Sequence, residues 1–167
     1  MIARANSIAT RSRMLRLSTA AELMTPNPLS FKHGDSLQNV SALLSFHELD
    51  AAPVTDDADR LVGLVSAEAC AAWEVYSRRS SPHGWSMADV DETDISEIVS
   101  PIVPSVREDA TSKEVIDLLG QRQARRVYVV NSQNELIGVI NIADVLRLLG
   151  NGSNLNRVYR AAAAQLC

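Results

Sequence analysis

The chain has 167 residues, 46% of them apolar but only 4% aromatic, with 22% charged and a formal net charge of −4. That size suits one compact body with an aliphatic core. No run approaches the roughly 20 apolar residues of a bilayer span, so a soluble protein with no membrane partner is expected. A basic bias is confined to residues 1–20, where Arg4, Arg11, Arg13 and Arg16 meet no acid and leave a net −8 on the remainder. A body this acidic argues against nucleic-acid binding.

In chain order, residues 1–20 read as a basic arm, either a disordered leader or a helix packed on its own domain; its Arg- and Ser-rich, acid-free composition also weakly resembles a targeting segment. A short helical lead, a turn at Pro26 and a brief strand follow. From about Ser36 to His47, Leu37, Val40, Leu43 and Leu44 recur on one face of an amphipathic helix, with Asp35 or Ser36 as its cap. Strands are predicted over Ala51 to Thr55 and Leu61 to Ser66, parted by the turn Asp56-Asp57-Ala58-Asp59, and a closing helix runs on to about residue 77. Residues 78–94 mix Ser, Pro, Gly and Asp as a linker.

The same order of elements then returns. A helix from about Thr111 to Arg122 turns Val115, Ile116, Leu118 and Leu119 to the core, with the Thr111 hydroxyl as cap. Strands over Arg126 to Val130 and Leu136 to Ile140 flank Asn131-Ser132-Gln133-Asn134, their β-branched residues suited to a pleated surface. A closing helix ends at Gly150 and Gly152, and residues 151–167 form a tail whose alanine-rich stretch from Leu155 to Leu166 could be a further helix.

The second set is a copy of the first. A shift of 75 residues lays Ala21 to Ala72 on Ser96 to Arg147 without a gap, with identities at Glu22/Glu97, Pro26/Pro101, Ser30/Ser105, Val40/Val115, Leu43/Leu118, Leu44/Leu119, Val54/Val129, Leu61/Leu136 and Gly63/Gly138. Two copies of one unit, over 21–77 and 95–150, are each too small to be comfortable alone and are expected to pack together.

Both copies resemble CBS repeats, the small regulatory unit named after cystathionine β-synthase. In copy one the resemblance rests on Glu22-Leu23-Met24-Thr25-Pro26, Leu49 to Asp56 and Leu61-Val62-Gly63-Leu64-Val65-Ser66. In copy two it rests on Glu97 to Pro101, Arg125 to Asn131 and Leu136 to Asp144. The resemblance implies an α+β fold of two pseudo-two-fold-related repeats, each helix-strand-helix-strand-strand-helix, forming one compact pair. It also implies two clefts that commonly take AMP, ADP, ATP or S-adenosylmethionine, and association into homodimers.

The family's nucleotide signature is a glycine, two apolar residues, a Ser or Thr, two variable residues and an Asp. An Asp at a helix start can accept both ribose hydroxyls, and a hydroxyl beside exposed amides suits phosphate. Copy two reads Gly138-Val139-Ile140-Asn141-Ile142-Ala143-Asp144, keeping the acid with Asn in place of the hydroxyl. Copy one reads Gly63-Leu64-Val65-Ser66-Ala67-Glu68-Ala69, keeping the hydroxyl and losing the acid. Arg125 and Arg126 precede the copy-two strand where copy one has Asp50 and Ala51, so phosphate favours copy two. The better cleft is therefore assigned to Ser100, Ile102, Val103, Arg125, Arg126, Val127, Tyr128, Asn141 and Asp144. The weaker one falls to Thr25, Asn27, Ala52, Pro53 and Ser66. Asn141 and Asp144 could equally cap a helix, and Arg122, Arg125 and Arg126 could be a solvated face.

His33, His47 and His83 lie in no ligand-spaced motif, and no phosphate loop or nucleophile elbow appears, so neither a metal site, a required cofactor nor catalysis is expected. Cys70 and Cys167 have no partner motif and fit a cytoplasmic setting. The expected function is an adenosine-nucleotide sensor, of energy state for instance, that regulates another protein. The alternative is an interaction scaffold whose clefts have decayed. Neither the partner nor the ligand among the adenosine compounds follows from the residues.

Overall fold

A computed structural model describes residues 18–80, 93–121 and 124–149. Residues 1–17 of the expected basic arm, most of the linker, Arg122, Gln123 and everything beyond Leu149 lie outside the described residues, while Ser18 to Ala20, the end of that arm, lead into the first helix. Copy one comprises α1 (Ala20–Leu23), β1 (Thr25–Pro26), β2 (Phe31–Lys32), α2 (Leu37–Phe46), β3 (Ala51–Thr55), β4 (Leu61–Ser66) and α3 (Ala67–Ser80). Copy two comprises β5 (Ser105–Arg107), α4 (Ser112–Gln121), β6 (Arg126–Val130), β7 (Leu136–Asn141) and α5 (Ile142–Leu149). The mixed α+β class and the order of elements agree with the sequence. One departure is the lead of copy two, where Ser96 to Ile98 form a turn rather than a helix.

Local chemistry accounts for the helix ends. Ser36 Oγ accepts the Asn39 amide at 3.3 Å, so Ser36 rather than Asp35 caps α2. At its far end Glu48 takes φ 53°, and Leu49 N–H returns to Leu44 O at 2.8 Å while Glu48 N–H reaches Ser45 O at 3.2 Å. This is a Schellman ending with Glu at the left-handed position. Thr111 and Glu114 cap α4 reciprocally: Thr111 Oγ1 accepts the Glu114 amide at 3.3 Å, and Glu114 accepts the Thr111 amide at 2.7 Å. The inward face is narrower than the periodicity implies. Leu37, Val40 and Leu44 of α2 and Val115 and Leu119 of α4 are buried, but Leu43 and Ile116 are exposed because they sit at the rim of their stripes.

The chain divides into two compact units that do not coincide with the two copies: residues 1–26, 104–129 and 138–167 in the first, 27–103 and 130–137 in the second. In unit 2, β2 runs parallel to β3 with Phe31 opposite Val54, β3 and β4 form an antiparallel hairpin with Val54 opposite Gly63, and Ser100 bridges to Leu64. The sheet of unit 1 runs β5-β6-β7-β1, with Thr25 opposite Val139. Each lead is therefore paired with the strands of the other copy.

The exchange repeats in detail 75 residues on. Thr19 bridges Thr111, and Asp94 bridges Ser36. Ala20 N–H reaches Ala110 O at 2.8 Å, and Ile95 N–H reaches Asp35 O at 3.1 Å. Ile95 is fully buried among Phe31, Leu37, Val40, Leu44, Val54, Val65 and Cys70, so copy two's lead helps to close the core under copy one's helices. Glycine makes the close approach possible. A Cβ on Gly63 would stand 2.2 Å from Val99 Cγ1 and 2.8 Å from Ser100 O, and one on Gly138 would stand 2.3 Å from Met24 Sδ.

The hairpin turns share a skeleton too. Asp56 Oδ1 accepts the amides of Ala58 and Arg60, both at 2.9 Å, and Asn131 Oδ1 accepts those of Gln133 at 3.0 Å and Glu135 at 2.9 Å. Asp59 at φ 58° and Asn134 at φ 66° take the left-handed position, which short polar side chains tolerate. Within unit 2 the tips meet, with Arg60 opposite Glu135, Leu61 N–H on Asn134 O at 2.9 Å and Leu136 N–H on Asp59 O at 3.0 Å.

Candidate functional site

The end of β7 and the start of α5 gather the polar residues of unit 1. Ile142 N–H donates to Arg125 O at 2.9 Å, which places Arg125 beside the first residue of α5, and Asn141 Oδ1 accepts the Ala143 amide at 3.0 Å. Asn141 is thus the N-cap of this helix. Asp144 stands in its first turn, half-buried, where the amide end of a helix favours an anion. Thr25, opposite Val139, reaches the same sheet through the crossed lead.

Arg125 is exposed and Arg126 half-buried at the head of β6. Val127 and Tyr128 follow, 0% and 4% exposed, so neither presents an open face. Tyr128 N–H donates to Pro104 O at 2.8 Å, a bond that Pro53, its counterpart in copy one, cannot make. Burial pushes the Tyr128 phenol up, and the neighbouring Arg126 guanidinium partly offsets this.

Unit 2 repeats the backbone with different charges. Ala67 N–H donates to Asp50 O at 2.9 Å, and Ser66 Oγ accepts the Ala69 amide at 3.1 Å, so Ser66 caps α3 as Asn141 caps α5. Ala69 stands where α5 has Asp144, and Asp50 where β6 is preceded by Arg125. Ser100 exchanges both backbone hydrogen bonds with Leu64, at 2.8 and 2.9 Å, and its Oγ accepts the Ile102 amide at 3.3 Å. Ile102 is exposed and Val103 half-buried. Asn27 is exposed at φ 52°, while Ala52 and Pro53 are buried.

The structure therefore groups the predicted residues differently from the sequence reading. Thr25 joins Arg125, Arg126, Val127, Tyr128, Asn141 and Asp144 in unit 1, whereas Ser100, Ile102 and Val103 join Asn27, Ala52, Pro53 and Ser66 in unit 2. The reason is the crossed pairing of the leads, to which a 75-residue shift is blind because it compares each copy with the other and not with what it touches. The paired glycines Gly63 and Gly138 are the one sequence signal of it, since an unpunctuated strand glycine marks a close backbone approach. Among the described residues no group of His, Cys, Asp or Glu could hold a metal ion, and no helix is long and apolar enough to cross a membrane.

The family model for the CBS domain matches residues 20–73 and 95–151. The chain belongs to the CBS domain family. Its two CBS repeats are similar to part of inosine-5'-monophosphate dehydrogenase from Methanocaldococcus jannaschii, 20% identical over 128 residues that make up 77% of this chain and 23% of the relative. The chain spans about a quarter of the length of the curated relatives it matches. Among solved structures, CBSX2 in complex with AMP is 25% identical with a TM-score of 0.62, the likeness covering 77% of this chain and 93% of that one. CbpB in complex with c-di-AMP is 18% identical with a TM-score of 0.71, covering 96% and 99%, a likeness of fold. The crossed leads, the capped helix starts and the acid of α5 thus belong to a CBS pair.

Proposed function

We propose that this CBS pair is a non-catalytic regulatory module that takes an adenosine-containing nucleotide, AMP, ADP or ATP, at the start of α5. The observation that carries the reading is the conjunction in unit 1 of Asp144 in the first helical turn with Arg125 and Arg126 beside the same helix start. A carboxylate there can accept both hydroxyls of a ribose, and guanidinium groups pair with phosphate through parallel charge-assisted bonds. Thr25, on the strand that pairs with β7, supplies a hydroxyl to the same end of the sheet. The AMP held by CBSX2 supports the ligand class. S-adenosylmethionine has the ribose but no phosphate, so the arginines favour the nucleotides over it.

Calorimetric titration of nucleotide-stripped protein tests this. Binding of at least one adenine nucleotide, weakened about tenfold or more by Asp144→Ala and by Arg125→Ala, is expected. Equal affinity in the Asp144 variant would remove the site assignment. A second reading, a scaffold with decayed clefts, draws on Ala69 in place of the acid in unit 2 and on the near-complete burial of Val127 and Tyr128. Indifference to every adenosine compound would favour it. As a regulator, the module must bind its ligand better in one of two conformations, because equal affinity for both shifts nothing.

A further inference from the structure

The lead of copy one runs antiparallel to the segment before α4, within unit 1. Ala21 N–H donates to Glu108 O at 2.9 Å, Ala20 N–H to Ala110 O at 2.8 Å, and Ser112 N–H to Ser18 O at 3.0 Å. Followed backwards from Ala21, the chain therefore passes 108, 110 and 111 and arrives at Ser18 beside the first residue of α4. Residues 11–17 lie outside the described residues, yet their point of attachment is fixed and aimed along this helix. Seven residues reach up to about 23 Å and ten helical residues rise about 15 Å, so the segment is long enough to span α4. On α4, Lys113, Ile116, Asp117 and Gly120 follow at i, i+3, i+4 and i+7, all exposed, and so form one stripe, with Asp109 and Glu114 exposed at its head. Ile116 is the one large apolar side chain exposed in unit 1 among the described residues. Gly120, one turn further on, weakens the helix, and a Cβ there would meet nothing within 4 Å.

We infer that residues 11–17 of the same chain dock along this face of α4, Arg11, Arg13 and Arg16 on its carboxylates and the apolar residues between them over Ile116 and the bare turn at Gly120. Charge chooses the occupant. At the shift of 75 residues, 86–92 precede Thr93 as 11–17 precede Ser18, and Leu37 N–H on Thr93 O at 2.8 Å repeats the bond of Ser112 to Ser18. Residues 11–17 hold those arginines and no acid, whereas 86–92 hold Asp89, Asp91 and Glu92 and no base. The helices beside them answer in kind. Where α4 has Glu114 and Asp117, α2 has Asn39 and Ala42 and carries no charged residue at all, and Gly34 stands in place of Asp109. Carboxylates thus line the helix whose preceding segment is basic and are missing from the one whose preceding segment is acidic. Lys113, the one cation of α4, is already paired to Asp117, and a carboxylate accepts at two oxygens, so Asp117 can take an arginine as well. The inference does not rest on the nucleotide reading.

Tryptic cleavage of the native full chain after Arg13 and Arg16, read by mass, tests it. Asp117→Arg should speed that cleavage about tenfold or more, because a docked segment is cut only when it opens. Ala42→Arg, the same change at the matching position of α2, should leave the rate alone. Both positions are exposed, so the variants should keep the fold, which melting checks. A nitroxide on Ser12→Cys in a Cys167→Ser background gives a second readout, since Cys70 is fully buried: it should broaden the amide signals of α4 and not those of α2. Cleavage that is as fast in the parent as in Asp117→Arg, equal acceleration by Ala42→Arg, or broadening strongest outside α4 would each overturn the proposal. So would protection that grows with protein concentration, because the segment would then sit on a second copy.

Discussion

Units 1 and 2 have the same backbone plan and opposite chemistry. Both take a lead from the other copy, close it over a strand glycine, and start a helix after a capping residue, its first amide held by the carbonyl of the residue that precedes the neighbouring strand. Unit 1 places Arg125, Arg126 and Asp144 around that helix start, whereas unit 2 has Asp50, Ala51 and Ala69 there and carries most of the exposed large apolar side chains. The strand glycines at the close approaches are the same in both copies, because a change there breaks hydrogen bonds or packing in a unit built from both copies, although Pro53 against Tyr128 shows that single pairing positions can differ. Positions at the helix start and on outer faces are free of that constraint and have diverged.

Matched core truncations should show the largest effects. Leu44 is fully buried in the cluster closed by Ile95, and Leu44→Ala should cost about 3 kcal/mol in urea unfolding, with Leu119→Ala at 4% exposure costing about 2 kcal/mol. Equal costs would mean that the two cores are packed alike despite their different lids. The glycines come next and sharpen the comparison. Gly63→Ala drives a methyl to 2.8 Å from the backbone carbonyl oxygen of Ser100, which cannot move without breaking its pairing with Leu64, whereas the nearest atoms to a methyl on Gly138 are those of the Met24 side chain, down to its Cβ at 2.9 Å. The Met24 thioether can swing aside but its Cβ moves only with the lead, so about 2 kcal/mol is expected for Gly63→Ala and somewhat less, about 1.5 kcal/mol, for Gly138→Ala. A reversed order would show that the lead of copy two, not that of copy one, is the more easily displaced.

Most of the architecture was legible because it follows from short-range rules applied twice. The strand pairs, the caps at Ser36 and Thr111 and the burial of Leu37, Val40, Leu44, Val115 and Leu119 are local or periodic signals. Leu43 and Ile116 were misplaced because periodicity gives the direction of a face and not its width. The partner of each lead was not legible: Thr25 and Ser100 look the same whether they pair with their own copy or the other, and only tertiary contact distinguishes them. For the same reason the residues proposed for the candidate site could not be grouped by unit from the sequence. Asn141 illustrates the overlap of roles, since its side chain is engaged as a helix cap at the position where the family signature has a hydroxyl.

The contrast between helix starts predicts a difference in ligand binding rather than in folding. Asp144→Ala should lower the melting midpoint only by the small amount a first-turn acid contributes, while weakening nucleotide about tenfold or more, about 1.4 kcal/mol. Giving unit 2 the same chemistry, with Asp50→Arg and Ala69→Asp together, should add a second, weaker binding event in the titration. If it does not, the two helix starts differ in more than charge, and buried Pro53 in place of Tyr128 becomes the next position to exchange.

The smallest expected effect separates the hairpin turns. Asp56 is held below the usual carboxylate range, first by its side-chain bond from Arg60 and then by the Arg60 and Ala58 amides. In copy two the same acceptor is Asn131, which does not titrate. A carboxylate with a lowered folded pKa adds stability that is complete above its unfolded value of about 3.9 and is lost as pH falls through the folded one. Glu114, lowered by the Thr111 amide and hydroxyl, and Asp94, lowered by Ser96, act in the same direction. Asp94 and Glu114 are exposed and Asp56 is half-buried at the surface, so each contribution is small and salt-sensitive. Urea midpoints measured from pH 6 down to about pH 3 should therefore fall in the wild type below about pH 4, and less steeply in Asp56→Asn, whose amide keeps the acceptor oxygen of the turn without the charge. Asn131→Asp should steepen the fall only if a cation replaces Glu135 as its neighbour, because the carboxylate of Glu135 raises rather than lowers the pKa of an acid placed beside it. A steeper fall in the single Asn131→Asp variant would show that the backbone amides of the turn, common to both copies, outweigh the side chain that differs between them.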